Sequence, residues 1–530
     1  MSDEPPGGAV WRPAFNPWLI AVVVALAAFM EVLDTSIANV ALPYIGGSLA
    51  ASYDESTWVL TSYLVSNAIV LPISGWLAVR FGRKRFFVGC LAIFTVSSLL
   101  CGVAPSLAAL LLFRVMQGAG GGGLQPMAQA ILADSFPPQQ RGLAFALYGI
   151  TTIVAPTIGP TLGGWITFNY SWRWIFFINL PVGLVTLGLV LRLIEDPPYL
   201  SRLKAAGVKL DYIGIGLLTL GIGALQIVLD KGQEEDWFGS HFIVTLAVVA
   251  AICLPALVVW EWFYKDRVIE VRLFKSFNYF GANVMMFALG ILLFGSLVLM
   301  PQFLQTLLGY TAELAGLVLS GGAVVLLLTM PIVGQLTSKV QARYIIAFGW
   351  LCLAISMYYS TVRIDLLISL RSATWLRVAQ VVGLGFLFVP ITLVAYVGIP
   401  PDKTNAVAGM INFMRNIGSS VGTSMVTTVI ARRSQFHQAR LVGHASPGNQ
   451  IFQRALDGLI ARLTSFGMSA PDARAHAYAR IYQALQAQAA TLAYIDMFWL
   501  LAVGAAIMFA MSFLLAKNDP AGGGAEAAVG

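Results

Sequence analysis

The sequence predicts an all-α polytopic membrane protein, built as two six-helix bundles with two extra transmembrane helices inserted between them. Three observations carry that prediction. Of 530 residues, 58% are hydrophobic and only 11% charged, with a mean hydropathy of +0.78, whereas soluble domains carry about 25% charged residues. Apolar runs of spanning length recur along nearly the whole chain. Motifs of the first half reappear about 260 residues later.

A helix that crosses about 30 Å of hydrocarbon needs roughly 20 mainly apolar residues. The first such run, 18–42, lacks a small-residue cleavage site, so it reads as a retained span and not as a signal peptide. Runs at 57–79, 86–104, 107–132, 142–165 and 174–194 complete a first set of six. Six spans need only about 190 residues here, so the repeat offset leaves room for two more. Runs at 212–229 and 241–262 fill that room. The second set is 279–301, 313–337, 344–361, 373–398, 408–431 and 494–516. The runs are continuous and do not alternate, which excludes a closed β-barrel. The organisation is therefore a tail 1–17, a bundle 18–194, a linker 195–278 with the extra pair, a bundle 279–516 that includes an outward loop 432–493, and a tail 517–530.

Lys and Arg placement sets the orientation. With the N-terminus inside, short inward segments hold roughly 18 basic residues and short outward ones roughly 4. Arg80, Arg83, Lys84, Arg85, Arg202, Lys204, Lys209, Lys265, Arg267, Arg272 and Lys275 belong to the inward set. Both termini are expected in the cytoplasm. The net charge of +7 then speaks of loop topology and anionic membrane lipid, and no basic stripe with interleaved aromatics points to nucleic acid. Cys90, Cys101, Cys253 and Cys352 all fall in apolar runs and read as buried thiols. The four His form no metal spacing, and no phosphate loop with its Lys is present, so neither a metal, a cofactor nor ATP is expected.

The repeat pairs RVMQGAGGGGL from Arg114 with RVAQVVGLGFL from Arg377, and Gly159 and Gly163 with Gly418 and Gly422. Repeated halves create a site between two rocking bundles. GAGGGG also matches a dinucleotide fingerprint, but no strand precedes it, and small residues on a membrane helix serve close packing.

The stretch FMEVLDTSIANVALP places Glu31 and Asp34 inside the first span. Three apart on a helix, they share a face with about 5–6 Å between them. An ionised carboxylate at mid-membrane costs about 2.5–3.5 kcal/mol even on lenient scales. A carboxyl that takes a proton on one side and releases it on the other gives a reason to bear that cost, and two such neighbours titrate as a pair. The structural alternative is a pair of static, hydrogen-bonded acids near a helix end. Arg114 lies in a span and cannot shed its charge. Tyr63, Asn67 and Gln117 are the polar candidates for a substrate pocket near the acids.

Four motifs together resemble the major facilitator superfamily, and within it the fourteen-helix EmrB/QacA-type drug:proton antiporters, over nearly the whole chain. They are LDTSIANVALP from Leu33, GWLAVRFGRKR from Gly75, RVMQGAG from Arg114 and GPTLGG from Gly159. Ser36 and Ala38 replace the more usual Thr and Val, and Val79 stands where the loop motif usually carries an acid. The resemblance implies a major facilitator fold, export of lipophilic small molecules driven by the proton gradient, and residence in a cell membrane (the inner membrane in a Gram-negative bacterium). It implies proton coupling by Asp34, with Arg114 as the partner that tunes release; Glu31 lies outside the family signature and joins them as a proton-coupling candidate by its place one turn from Asp34. It gives conformational roles to Gly75, Arg80, Gly82 and Arg83, and to Gly159, Pro160, Gly163 and Gly164, where Pro160 is expected to disrupt the helix. Arg415 is a further buried cation with a gating or packing role. The segment 432–493 is helix-prone, with an apolar stripe at Ile451, Ala455, Leu459 and Leu463, and is a candidate dock for a periplasmic adaptor protein or a lid on the transporter itself. A proton-coupled symporter or a facilitator importing a small metabolite on the same fold is the nearest rival reading, since fold does not fix function; a membrane-embedded enzyme or sensor is the second, and no nucleophile–base–metal constellation supports it.

Overall fold

The computed structural model describes residues 13–198, 211–446 and 448–517. Most of both tails, and the inward residues Arg202, Lys204 and Lys209, lie outside the described residues. Among the described residues none is in a strand. The first half is α1 (Pro17–Ser48), α2 (Tyr53–Phe81), α3 (Arg83–Gly102), α4 (Leu107–Ser135), α5 (Pro138–Asn169) and α6 (Trp174–Leu193). The inserted pair is α7 (Tyr212–Lys231) and α8 (His241–Phe263). The second half is α9 (Phe277–Thr306), α10 (Ala312–Leu336), α11 (Ala342–Arg363), α12 (Leu370–Ala395), α13 (Thr404–Val442) and α15 (Ala470–Ser512), with the short α14 (Gln450–Ser465) between the last two.

Side chains at the helix starts satisfy orphan amides. Ser52 and Glu55 form a reciprocal capping box at α2, while Ser106, Asp211, Ser276, Thr311 and Ser469 accept from the first turns of α4, α7, α9, α10 and α15. Gly82, at φ +92°, makes the turn from α2 to α3, a backbone conformation that costs glycine little.

Among the described residues, thirteen helices are long and apolar enough to cross a membrane. The run expected at 408–431 lies in α13, which is long enough but too polar to count among them. Its polarity is sheltered: α13 packs on α2, α4, α9 and α15, and Asn405, Asn412, Arg415, Ser420 and Ser424 are buried against protein. The halves meet where α5 packs on α10 and α2 on α13. The inserted α7 lies against α2 of one half and α13 of the other, and α8 packs on α7.

The segment 432–493 is not a loop. Apart from turns on either side of α14, its described residues are helical: α13 runs on to Val442, and α15 begins at Ala470 and continues unbroken into the last span. At about 1.5 Å per residue, α13 and α15 are about 58 and about 64 Å long, roughly twice the hydrocarbon thickness. The stripe on α14 is also shifted from expectation. Leu456 and Leu463 are buried against Ala473 and Ala477 of α15, with Phe452, Leu459 and Ile460 beside them, while Ile451 and Ala455 are exposed. The partner helix selects the face, and a stripe read from one helix alone does not contain that information.

Candidate functional site

Glu31 and Asp34 are both buried, at 3% and 2% exposure. They share α1, but different shells of partners hold them. Asp34 faces the interior of the first half. Arg114 Nη1 on α4 pairs with its Oδ2 at 2.6 Å. Gln117 Nε2 and Asn179 Nδ2 donate to Oδ1 at 2.9 and 2.7 Å. Arg114 is fixed in turn by Gln117 Oε1 at 2.8 Å, by the Val59 carbonyl at 3.0 Å and by the Tyr63 ring, 4.3 Å from its Cζ. This is a buried ion pair with most of its hydrogen bonds made, the condition under which such a pair is tolerated.

Among the described residues no cation is paired directly with Glu31, and Arg415 acts on it electrostatically from across the seam. Tyr63 Oη and Asn67 Nδ2 donate to Oε1 at 3.1 and 3.0 Å, and Gln125 Nε2 donates to Oε2. Gln125 is the link outward: its Oε1 accepts from Tyr148 Oη at 3.2 Å and from Arg415 Nη2 of α13. Gln129 accepts from Asn412 at 2.9 Å across the same seam. Tyr63 and Asn67 thus stand with Glu31, Gln117 stands with Asp34, and the Tyr63 ring against Arg114 joins the two shells.

The motif glycines act by close approach. A Cβ at Gly75 would lie 2.9 Å from the Ala406 backbone, so α2 and α13 touch there, across the two halves. A Cβ at Gly163 would lie 2.9 Å from Ile37, and one at Gly159 would overlap Ser36, so α5 is pressed on the acid-bearing helix. Gly164 has only ordinary contact, with Val40 at 3.9 Å. Pro160 does not disrupt α5, which is continuous from Pro138 to Asn169. Its missing N–H leaves the Pro156 carbonyl without its usual intrahelical donor. Ser36 Oγ on α1 donates to that carbonyl at 3.1 Å, which replaces the hydrogen bond that the proline removes.

At the basic end of the bundle, Arg83 is buried and pairs with Asp134 of α4 at 2.8 Å. The ion pair joins the start of α3 to the end of α4, within the first half. Arg80 is exposed, its Cζ 6.0 Å from the Phe81 ring. Gly75 and Arg415 cross between the halves, through the Ala406 backbone and Gln125 respectively.

Sequence reading missed Gln125, Asn179 and Tyr148. Gln125 had a signal, since Arg114, Gln117 and Gln125 repeat on one face of α4, Gln125 three turns on from Arg114. Asn179 and Tyr148 stand alone in apolar surroundings and had none.

The sequence model of the Major Facilitator Superfamily matches residues 24–423. The multidrug export protein EmrB of Haemophilus influenzae is 39% identical over 92% of this chain and 93% of its own. The fatty acid resistance protein FarB of Neisseria gonorrhoeae is 38% identical over 85% of this chain and 87% of its own. Among solved structures, the proton:xylose symporter XylE bound to 6-bromo-6-deoxy-D-glucose aligns with a TM-score of 0.61 at 14% identity, over 95% of this chain and 97% of that one. At that identity the likeness is one of fold alone. Sequence and fold agree: the chain belongs to the Major Facilitator Superfamily, in the family of the EmrB proteins, and is a multi-pass membrane transporter.

Proposed function

We propose that this transporter exports lipophilic small molecules from the cell in exchange for protons, as a multidrug efflux antiporter. The observation that carries the reading is Glu31, a buried carboxylate held by neutral donors, one of which is also held by an arginine of the opposite half. When the halves part at this seam, Gln125 must leave either Glu31 or Arg415. The number of donors around the carboxylate, and so its affinity for a proton, then follows the tilt of the halves. Asp34 and Arg114 are the second element of the coupling: protonating Asp34 removes the charge that holds Arg114, Gln117 and Asn179 in place. Substrate meets the wall formed by Tyr63, Asn67 and Gln117 and competes with the proton for it, and the antagonism is reciprocal in the two affinities.

The remaining residues take mechanical roles. Gly75 is the contact on which the basic end closes, with Gly82, Arg83 and Arg80 anchoring the turn beneath it. Gly159, Pro160, Gly163 and Gly164 form the seam along which α5 moves on α1, and Arg415 is the clamp between halves. The proton gradient supplies the energy and no cofactor takes part. Relatives named for multidrug export and for fatty acid resistance support a broad, lipophilic substrate class. The bias of Lys and Arg supports a cytoplasmic basic end and cytoplasmic termini, with the protein in a cell membrane, the inner membrane where the cell is Gram-negative. The arm made by α13, α14 and α15 then projects from the opposite face, where its exposed Ile451, Phe466 and Tyr482 offer a dock to a periplasmic adaptor protein.

The test is uphill efflux from proteoliposomes under an imposed pH gradient. Wild type drives a hydrophobic dye against its gradient, whereas Asp34→Asn and Glu31→Gln bind dye but lose the gradient-driven part. Full gradient-driven efflux by Asp34→Asn would show that its role here is wrong, and inward concentrative uptake would favour the symporter.

A further inference from the structure

The second half holds a copy of the Asp34–Arg114 site from which the acid is missing. By the internal repeat, Arg377 and Gln380 on α12 stand where Arg114 and Gln117 stand on α4. The contact between them is kept, with Arg377 Nη1 at 3.4 Å from Gln380 Oε1. The same nitrogen donates to Ser296 Oγ at 2.9 Å. Ser296 lies on α9, the first helix of its half, as Asp34 lies on α1 of the other. Ser296 therefore takes the place of the aspartate, but it is neutral, and its hydroxyl hydrogen is directed to the Leu293 carbonyl at 2.9 Å. The Gln380 amide is tied to Ser360 at 3.1 Å.

Arg377 is consequently a buried cation, 2% exposed, whose Nε has no acceptor. Among the described residues no carboxylate pairs with it. The acids between Phe277 and Val442 are Glu313, Asp365 and Asp402, at the start of α10 and in the turns before α12 and α13. A guanidinium does not shed its charge, and one buried without an anion is costly. Its planar fork also matches a carboxylate with two parallel hydrogen bonds.

We propose that Arg377, Ser296 and Gln380 form an anion subsite that takes the carboxylate of a lipophilic acid, the substrate supplying in this half the charge that Asp34 supplies in the other. The proposal rests on the export function above and narrows its substrate class to include lipophilic acids held by their head group. Ser296→Asp builds the missing acid into the protein and so competes with the ligand from within.

The experiment measures binding of decanoate and of neutral decanamide to purified protein in detergent, with melting temperatures alongside. Wild type is expected to prefer decanoate by about tenfold or more. Arg377→Gln should bring the ratio of the two Kd values to about one. Ser296→Asp should abolish the preference while its melting temperature stays at or above that of wild type, since the arginine then has a partner, which separates loss of the subsite from loss of the fold. Equal binding of acid and amide by wild type, or a preference that survives Ser296→Asp, would overturn the proposal. Displacement of decanoate by phosphatidylglycerol but not by phosphatidylcholine would overturn it too, by assigning the anion to a lipid head group. Efflux of a neutral dye by wild type keeps the two readings apart. Dye transport without acid preference removes the subsite alone, whereas absence of all transport removes the export function.

Discussion

At the scale of single residues, the acids of α1 differ in what answers their charge. Asp34 has a cation at 2.6 Å and Glu31 has neutral donors, so the same deletion has different effects at the two positions. Removing Arg114 leaves Asp34 buried and unpaired, and breaking a buried pair from one side costs about 3–5 kcal/mol. Arg114→Gln should therefore lower the melting temperature in detergent sharply. Arg114→Gln with Asp34→Asn should recover much of the loss, because the charge left behind is gone as well. Equal destabilisation by single and double variants would mean that packing of Arg114 against the Tyr63 and Phe176 rings, and not its charge, holds the site. Glu31→Gln breaks no direct ion pair, since Arg415 meets Glu31 only through Gln125, and a much smaller change in melting temperature is expected from it.

At the scale of elements, α1 and α5 are joined by a hydrogen bond that exists because of a proline. The Pro156 carbonyl lacks its intrahelical donor because Pro160 has no N–H, and Ser36 fills the vacancy. Ser36→Ala leaves a buried carbonyl unpaired, at a cost of about 1–3 kcal/mol. In a Pro160→Ala background residue 160 donates to that carbonyl itself, so Ser36→Ala should there cost well under about 1 kcal/mol. Stability measured over this cycle checks the point, and additive effects would sink it. The bond also marks how far the sequence was legible. The spans, their repeat, the extra pair and the acids could be read because hydropathy, spacing and charge in a membrane are strong local signals. The continuity of α5 through Pro160 could not, since its donor comes from another helix. The helices of 432–493 were legible as helix-prone stretches, but not their continuity with the flanking spans, since they are polar where they leave the membrane and pack on one another. Gln125 was half legible, on the right face of α4 but with its significance set by Arg415, far away in sequence.

At the scale of the whole molecule, two halves rest on each other at the basic end through contacts with no spare room. Gly75 faces the Ala406 backbone and Gly334 faces Gly142, each pair spanning the halves. Midway along, Arg415 with Gln125 and Asn412 with Gln129 cross the seam, and Gln226 of α7 joins Ser420 of α13 at 2.8 Å while Asp230 and Lys231 of the same helix bond to Thr61 and Thr57 of α2. The inserted helix thus holds both halves along one edge, whereas the glycine contacts decide whether the basic end is shut. A methyl group at Gly75 has backbone at 2.9 Å to displace, and backbone cannot swing aside as a side chain can. Gly75→Ala should therefore destabilise the closed state relative to any state in which α2 and α13 part, without touching the acids. A shift of about 1.4 kcal/mol changes the ratio of the states about tenfold. The reporter is Ser74→Cys, buried in this seam next to Gly409, in a background with the four native cysteines replaced. A membrane-impermeant maleimide applied from the basic side should label it about tenfold faster with Gly75→Ala than without. Saturating substrate should narrow that difference if substrate binds one of the two states better, because a ligand moves such an equilibrium only by its differential affinity. Unchanged labelling would mean that the close approach at Gly75 does not set the balance of states, and closure of the basic end would then rest on the polar contacts at mid-depth.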